Sequence, residues 1–241
     1  MNLKYNQTIL SIIIPVYNEK KTIEEIIEKI LLVKNIKKEI IIIDDCSNDG
    51  TREILKEKIS KKVDKIFYHD KNLGKGAAIK SAQKVVSGDI VIIQDADLEY
   101  SPNDYFELIN PIITEKTMVV YGSRVLGKKR YNNKNFTSNF RIFGNHFLTI
   151  LSNFINNQKL TDAHTCYKVF KSEIFQKIKL EENDFSFCPE VTTKLSNKNI
   201  GIIEVPISYN GRGLKDGKKI RFYDAIKALI VLLKYKYLRK L

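Results

Sequence analysis

Residues 9–16 read I-L-S-I-I-I-P-V, residues 39–44 read E-I-I-I-I-D, and residues 89–99 read D-I-V-I-I-Q-D-A-D-L-E. Each is a short apolar run without polar alternation, the pattern of a strand buried on both faces, and each gives way to proline or aspartate at its end. Helical spacing separates these runs. Residues 22–33 place Ile23, Ile26, Ile27, Ile30 and Leu31 on one face, behind a Thr22/Glu25 pair that reads as a capping box. Further out come a helix from about Thr51, a strand at 66–68, and helices at 75–86 and 102–113, followed by a strand at 118–121. Strands alternating with helices predict an α/β fold with a mostly parallel central sheet and helices on both faces.

Past Arg124 the alternation stops. A basic, asparagine-rich loop (Lys128, Lys129, Arg130, Asn132, Asn133, Asn135) leads into a predicted helix at 138–156, with Phe140, Phe143, Phe147 and Leu151 on its apolar stripe. Short elements follow at 166–170, 172–177, 189–195 and 200–206. The last 20 residues read as a helix with Ile226, Leu229, Ile230, Leu233 and Tyr237 on one face and Lys227 and Lys234 on another. Such a basic amphipathic helix either docks on its own core or lies in the interface of an anionic membrane. No internal repeat, low-complexity linker or domain boundary appears, so one domain is expected over 1–241.

Composition excludes several classes. A chain of 241 residues with 43% hydrophobic and 29% charged residues builds an ordinary core and is neither disordered nor fibrous. Its three cysteines, Cys46, Cys166 and Cys188, show no zinc spacing and no even disulfide framework, which points to a reducing compartment. Residues 1–10 do not read as a signal peptide, and no run of about 18 uncharged apolar residues exists to span a bilayer. The net charge of +13 is unevenly placed. Residues 116–161 hold eight basic and no acidic side chains, residues 211–241 hold ten and two, and the rest of the chain is slightly negative. Two cationic tracts of this kind suit an anionic partner.

Ligands of parallel α/β sheets bind outside the carboxyl ends of the strands. Those ends carry Pro15-Val16-Tyr17-Asn18-Glu19, Asp44-Asp45, Asp95-Ala96-Asp97-Leu98-Glu99 and Gly122-Ser123-Arg124. In an extended segment Asp95, Asp97 and Glu99 point to the same side and converge on one ion. Hard oxygen ligands suit Mg²⁺ or Mn²⁺ shared with substrate phosphates. Asp-x-Asp by itself is common and often only caps a turn. Here a second acidic strand end adds weight, because a carboxylate at Asp45 can accept from a nucleobase N–H. So does Asn72-Leu73-Gly74-Lys75-Gly76, a glycine-punctuated turn whose amides and Lys75 can face phosphate. Walker A and G-x-G-x-x-G spacings are absent, which removes the main support for ATPase and dinucleotide readings.

These motifs carry a resemblance. S-I-I-I-P-V-Y-N-E, D-D-C-S-N-D-G-T, N-L-G-K-G-A-A, I-Q-D-A-D-L-E-Y, Y-G-S-R, L-T-D-A-H-T-C-Y-K-V-F, P-E-V-T-T-K-L and V-P-I-S-Y-N-G-R followed by D-G-K-K-I stand in collinear order over nearly the whole chain. Together they resemble family 2 glycosyltransferases of the dolichyl-phosphate mannose synthase-like group. The resemblance implies a GT-A fold, a nucleotide-sugar donor, a divalent cation (Mg²⁺ or Mn²⁺) and inversion at the anomeric carbon. It implies a nucleotide-sugar-binding half over about 1–122, an acceptor-side half over about 123–221 and a basic terminal helix over about 222–241.

Carried over by residue, Pro15, Tyr17, Glu19, Asp45, Lys75 and Asp95 would bind the nucleotide sugar. Asp95, Asp97 and Glu99 would address the metal and diphosphate. Arg124, Arg141, Arg212, Lys218 and Lys219 would bind an anionic acceptor or the diphosphate, with Asp97 and Asp162 catalytic. Asp162 would act as general base or only orient the acceptor. A lipid phosphate is already ionised and needs no base, whereas a sugar hydroxyl does. His164 and Cys188 stand where relatives usually have acidic residues, and Glu190 is left available beside them.

The implied reaction moves a sugar, from GDP-mannose or UDP-glucose, to a polyprenyl phosphate at the cytoplasmic membrane face, with the protein soluble or peripherally bound. The alternative acceptor is a glycan or glycolipid hydroxyl. A sugar-phosphate nucleotidyltransferase should carry a glycine-rich, basic loop after its first strand, where this chain has P-V-Y-N-E. A nucleic-acid-binding module should carry a recognition helix or an aromatic RNA-binding signature, and neither is present.

Overall fold

A computed structural model describes residue 5 and residues 7–126, 136–211 and 222–238, with side chains left undescribed at 136–143 and 222–224. Its frame is a seven-stranded sheet in the order β3-β2-β1-β4-β6-β5-β7. The strands are β1 (Ile9–Val16), β2 (Lys37–Asp44), β3 (Lys65–Tyr68), β4 (Ile90–Ile93), β5 (Val119–Ser123), β6 (Lys168–Lys171) and β7 (Ile202–Pro206). All ladders are parallel except the two made by β6, which runs antiparallel to both β4 and β5. The mostly parallel expectation holds.

The isoleucine runs explain the centre of the sheet. Ile12 of β1 sits opposite Ile40 of β2 and Ile92 of β4, and all three are buried. Successive strand residues face opposite sides, so unbroken burial through Leu10–Ile14 and Ile40–Ile43 requires cover on both faces. The helices supply that cover: α1 (Ile23–Leu32), a short α2 (Thr51–Ile54) continuing as a π-helical turn over Leu55–Ile59, α3 (Lys75–Gln83), α4 (Tyr105–Ile113), α5 (Phe136–Asn156), α6 (Ser172–Lys177), α7 (Phe187–Asn197) and α8 (Phe222–Leu233). Each fully buried isoleucine contributes about 1.5–3 kcal/mol relative to leaving it in water. The run of isoleucines is therefore the main reason this sheet forms where it does.

Several local expectations are corrected. In α1, Ile23, Ile26, Ile27 and Ile30 are buried but Leu31 is exposed. No Thr22/Glu25 capping box forms. The Thr22 hydroxyl instead donates to Glu19 Oε2 at 2.9 Å, and the Glu19 carbonyl accepts from the amides of Thr22 and Ile23. Glu19 ends the loop entering the helix and reaches the cap position first. In α5, Phe147 faces solvent while Leu148, Thr149, Ser152 and Ile155 face the core. In α8, the docked side chains are Ala228, Val231 and Leu232, with Tyr235 in the π-helical turn Lys234–Leu238, whereas Ile226, Ile230, Leu233 and Tyr237 point outward. The predicted apolar stripe of the last helix is the one that its own core does not use.

Strand order changes direction at β1, whose neighbours are β2 on one side and β4 on the other. The carboxyl ends of these strands surround the crevice where ligands of such sheets bind.

Candidate active site

The donor side of the crevice is built from three loops laced together. Asn18, at φ 52°, donates its amide to Ser47 Oγ at 2.9 Å and exchanges side-chain bonds with Asn48. The Glu19 amide donates to Thr51 Oγ1 at 3.0 Å. Pro15, Tyr17 and Glu19 are thereby held half-buried beside the end of β2. Asp44 turns inward, taking Arg52 Nε at 2.5 Å and the Ser47 amide at 3.2 Å, while its Oδ1 is buried without a partner.

Asp45 faces the third loop. Its Oδ1 meets His69 Nδ1 at 2.7 Å and the Leu73 amide at 2.9 Å, and its Oδ2 accepts from the Gly74 amide at 2.7 Å. One carboxylate thus fixes the turn that opens α3. Gly74 sits at φ +97°, and an added Cβ would lie 2.5 Å from the Asn183 carbonyl oxygen. A Cβ on Gly76 would meet the Glu182 carbonyl oxygen at the same distance. The glycine punctuation is a requirement for backbone-to-backbone contact with residues 182–184. That contact delivers Lys75 Nζ to 2.5 Å from Asp95 Oδ1 and 3.3 Å from Cys166 Sγ. Burial alone would lower the Lys75 ammonium, but the Asp95 charge outweighs it and holds the group well above its ordinary value.

The Asp95–Glu99 stretch is not extended, contrary to expectation. β4 stops at Ile93, Leu98 adopts φ 63°, and the Glu99 amide donates to Asp97 Oδ1 at 3.0 Å, closing an Asx-type turn. The turn still gathers the three carboxylates. Asp97 is pushed up to about 7, by burial first and then by the Asp95 and Glu99 charges. Among the described residues no group of three acidic, histidine or cysteine side chains is already arranged around a metal position. The donor set nevertheless fits a hard cation, since one or two carboxylates plus a diphosphate are the usual ligands and a cation would relieve the crowding that raises Asp97. Gln94 anchors the turn from behind, with Oε1 taking the Tyr105 and Tyr167 hydroxyls at 2.8 and 2.6 Å.

The other side is built around Arg124. Its Nε and Nη2 each lie 2.7 Å from an Asp162 oxygen, its amide donates to Asp162 at 3.1 Å, and its guanidinium carbon stands 5.3 Å from the Tyr209 ring centre. Burial by itself would raise the Asp162 carboxyl, but Arg124 outweighs it and holds the group below the ordinary carboxylate range. The loop carrying Asp162 is clamped from two directions. Glu204 accepts from the amides of Thr161 and Asp162, and the buried Lys168 ammonium donates to the carbonyls of Ala163 and Thr165. His164 Nε2 and Thr165 Oγ1 in this loop are buried without a partner, and the imidazole is pushed down to about 4 by burial and by the Lys168 charge. Glu190 is not available beside them, because it accepts from the amides of Glu181 and Glu182 and from Lys194.

Tyr209 joins the two sides. Its hydroxyl donates to Glu99 Oε2 at 2.9 Å, its ring covers Arg124, and its backbone bridges to Tyr100. Tyr209 stands inside the V-P-I-S-Y-N-G-R motif without a role that spacing assigns, and His69, Gln94, Lys168 and Glu204 carry no motif role either. Only their polarity beside apolar runs marked them. Of the cationic residues predicted around the acceptor, Arg124 is in place, the Arg141 backbone lies in α5 with its side chain outside the described residues, and Arg212, Lys218 and Lys219 lie outside them altogether.

The mostly parallel seven-stranded sheet with helices on both faces is the GT-A fold of glycosyltransferases. Residues 11–179 match the family described as glycosyl transferase family 2, and the chain belongs to that family. It is 27% identical over 248 residues to a UDP-N-acetylglucosamine–dolichyl-phosphate N-acetylglucosaminyltransferase of Methanococcus voltae, covering 94% of this chain and 96% of the relative. It is 28% identical over 240 residues to a dolichyl-phosphate beta-glucosyltransferase of Trichomonas vaginalis, covering 93% and 72%. Among solved structures, glucosyl-3-phosphoglycerate synthase of Mycobacterium tuberculosis shares the fold with TM-score 0.73 at 17% identity, covering 98% of this chain and 82% of that one.

Proposed function

We propose that this glycosyltransferase moves one hexose from a nucleoside diphosphate sugar to a polyprenyl phosphate at the cytoplasmic face of a membrane, with inversion at the anomeric carbon. The reading is supported by two relatives named for dolichyl-phosphate acceptors, covered over 96% and 72% of their lengths, the first of them also named for a UDP-sugar donor. The single observation that carries it is the turn that holds the buried Asp97 carboxyl between Asp95, paired with Lys75, and Glu99, from whose amide it accepts.

Pro15, Tyr17, Glu19 and Asp45 border the place for the nucleoside, and Asp45 keeps an Oδ2 lone pair beyond its Gly74 bond for a base N–H. Lys75 and Asp97 face the diphosphate. A bound Mg²⁺ or Mn²⁺, held by Asp97 with Asp95 or Glu99, would neutralise charge developing on the departing nucleoside diphosphate. Arg124 orients the anionic acceptor. Asp162 gives both oxygens to Arg124 and is held below the ordinary carboxylate range, which suits a positioning residue and makes it a poor general base. An acceptor phosphate, already ionised, needs no base; this favours it over a glycan hydroxyl.

The test is donor turnover by the purified full chain with Mg²⁺ or Mn²⁺ and a short-chain polyprenyl phosphate. GDP-mannose, UDP-glucose and UDP-N-acetylglucosamine form the donor panel. Release of nucleoside diphosphate from one donor, lost in Asp97→Ala, is expected. Release that needs a glycan hydroxyl and ignores the lipid phosphate would reverse the acceptor assignment.

A further inference from the structure

Three elements converge on Asp45, the carboxylate that ends β2. From the residue after β3, His69 brings Nδ1 to 2.7 Å from Oδ1. The turn before α3 adds the Leu73 amide at 2.9 Å on the same oxygen and the Gly74 amide at 2.7 Å on Oδ2. The His69 ring is itself fixed. Its Nε2 lies 2.9 Å from Ser81 Oγ on α3, and its backbone amide donates to the Asp44 carbonyl at 2.8 Å. Both oxygens of Asp45 act as acceptors toward the amides, so Nδ1 carries the proton it shares with Oδ1, and Nε2 is left to pair with the Ser81 hydroxyl.

A carboxylate offers about four lone-pair positions. Oδ1 uses two, on His69 and Leu73, and Oδ2 uses one, on Gly74. One position on Oδ2 is left. The approach to it is narrow, since the Asp45 side chain is 4% exposed and the His69 side chain 12%.

We infer that His69, steadied by Ser81, is a specificity-determining positioning residue: by occupying Oδ1 it leaves Asp45 a single acceptor, which selects a donor whose base presents one imide N–H, as uracil does. The inference rests on the proposed reading of the crevice as a nucleotide-sugar site and narrows the donor. Guanine presents two adjacent donors, a ring N–H and an amine, that call for both oxygens of a carboxylate. With Oδ1 taken, the second has no partner in a buried place, which weighs against guanine. Cytosine and adenine set a ring-nitrogen lone pair beside their amine, so an acceptor faces an acceptor. His69 touches Asp45 and not the Lys75–Asp95 pair on the diphosphate side, so its effect falls on which nucleotide binds rather than on the chemical step.

The test is calorimetry on the purified full chain with Mn²⁺ and UDP, GDP, CDP, ADP and UDP methylated at the uracil ring N–H. UDP should bind at least about tenfold more tightly than each of the others, the equivalent of one hydrogen bond to a charged group. In His69→Ala the freed Oδ1 should shrink the UDP-to-GDP ratio severalfold. His69→Asn, whose side-chain amide replaces the Nδ1 donor, should restore it. A merely structural role would weaken all nucleotides alike and leave the ratio unchanged, which overturns the inference. Should His69→Ala fail to fold, Ser81→Ala reads the same ratio, expected to fall by less, and an unchanged ratio again overturns it. So does a wild type that binds GDP or the methylated UDP as tightly as UDP. Selective UDP binding without transfer to a polyprenyl phosphate would instead strike the proposed reaction and leave the role of His69 standing; binding of none of the nucleotides would strike both.

Discussion

The two rims of the crevice handle charge in opposite ways. On the donor rim burial first, and then the Asp95 and Glu99 charges, raise Asp97 to about 7, and Lys75 offsets only part of that rise. On the acceptor rim Asp162 and Arg124 satisfy each other in a two-pronged pair, and the carboxyl falls below its ordinary range. Excess negative charge stands where the proposed cation would bind. Matched charge is used where a frame must stay rigid.

The sharpest way to break this contrast is Asp97→Asn. Turnover should fall on the order of 10³-fold, the several kcal/mol that an electrostatic clamp on the leaving group supplies, while the metal-free protein becomes more stable at neutral pH. The sign follows from linkage: a carboxyl raised in the folded state stabilises it fully below the unfolded value near 4, and that contribution is lost as pH rises through about 7. Melting of wild type and variant between pH 5 and 8, with and without Mn²⁺, checks it. A variant with wild-type turnover, or a wild type whose melting ignores both pH and metal, removes the donor half of the comparison.

Asp162→Ala tests the other half. Leaving the Arg124 guanidinium buried and unpaired should cost about 3–5 kcal/mol in denaturant unfolding. Asp162→Asn with full stability but no turnover would mean that the carboxylate works as a base after all. Next in size is Gly74→Ala, which forces a Cβ against the Asn183 carbonyl at positive φ. It should destabilise by about 1–3 kcal/mol and weaken nucleotide binding, read by calorimetry. The smallest effect belongs to Tyr209→Phe. Losing the hydroxyl bond to Glu99 should change stability by about 1 kcal/mol and lower kcat severalfold with KM for the donor nearly unchanged. A large stability loss there would mean that the bridge between the rims is part of the core.

Much of this was legible in the chain. Apolar runs ending in aspartate located the strands and their rim, and the glycine turn located Lys75, because burial and turn geometry act over a few neighbouring residues. Partner choice was less legible. The capping box at Thr22 lost to Glu19, the Asp95–Glu99 stretch folded into a turn, and Glu190 was taken up by the 181–182 amides. Each of these was decided by competition among several acceptors within reach, which spacing alone does not rank.

The sequence by itself determined the sheet, the crevice at its carboxyl edge and the two cationic tracts, since hydrophobic period and charge count survive any rearrangement of side chains. Only the tertiary structure decided that Lys75 pairs with Asp95, Arg124 with Asp162 and Tyr209 with Glu99, and which stripe of the last helix faces outward. Those contacts join residues 20, 38 and 110 positions apart. Electrostatic pairing falls off within a few ångströms, so it is fixed only once the packed sheet has set those distances.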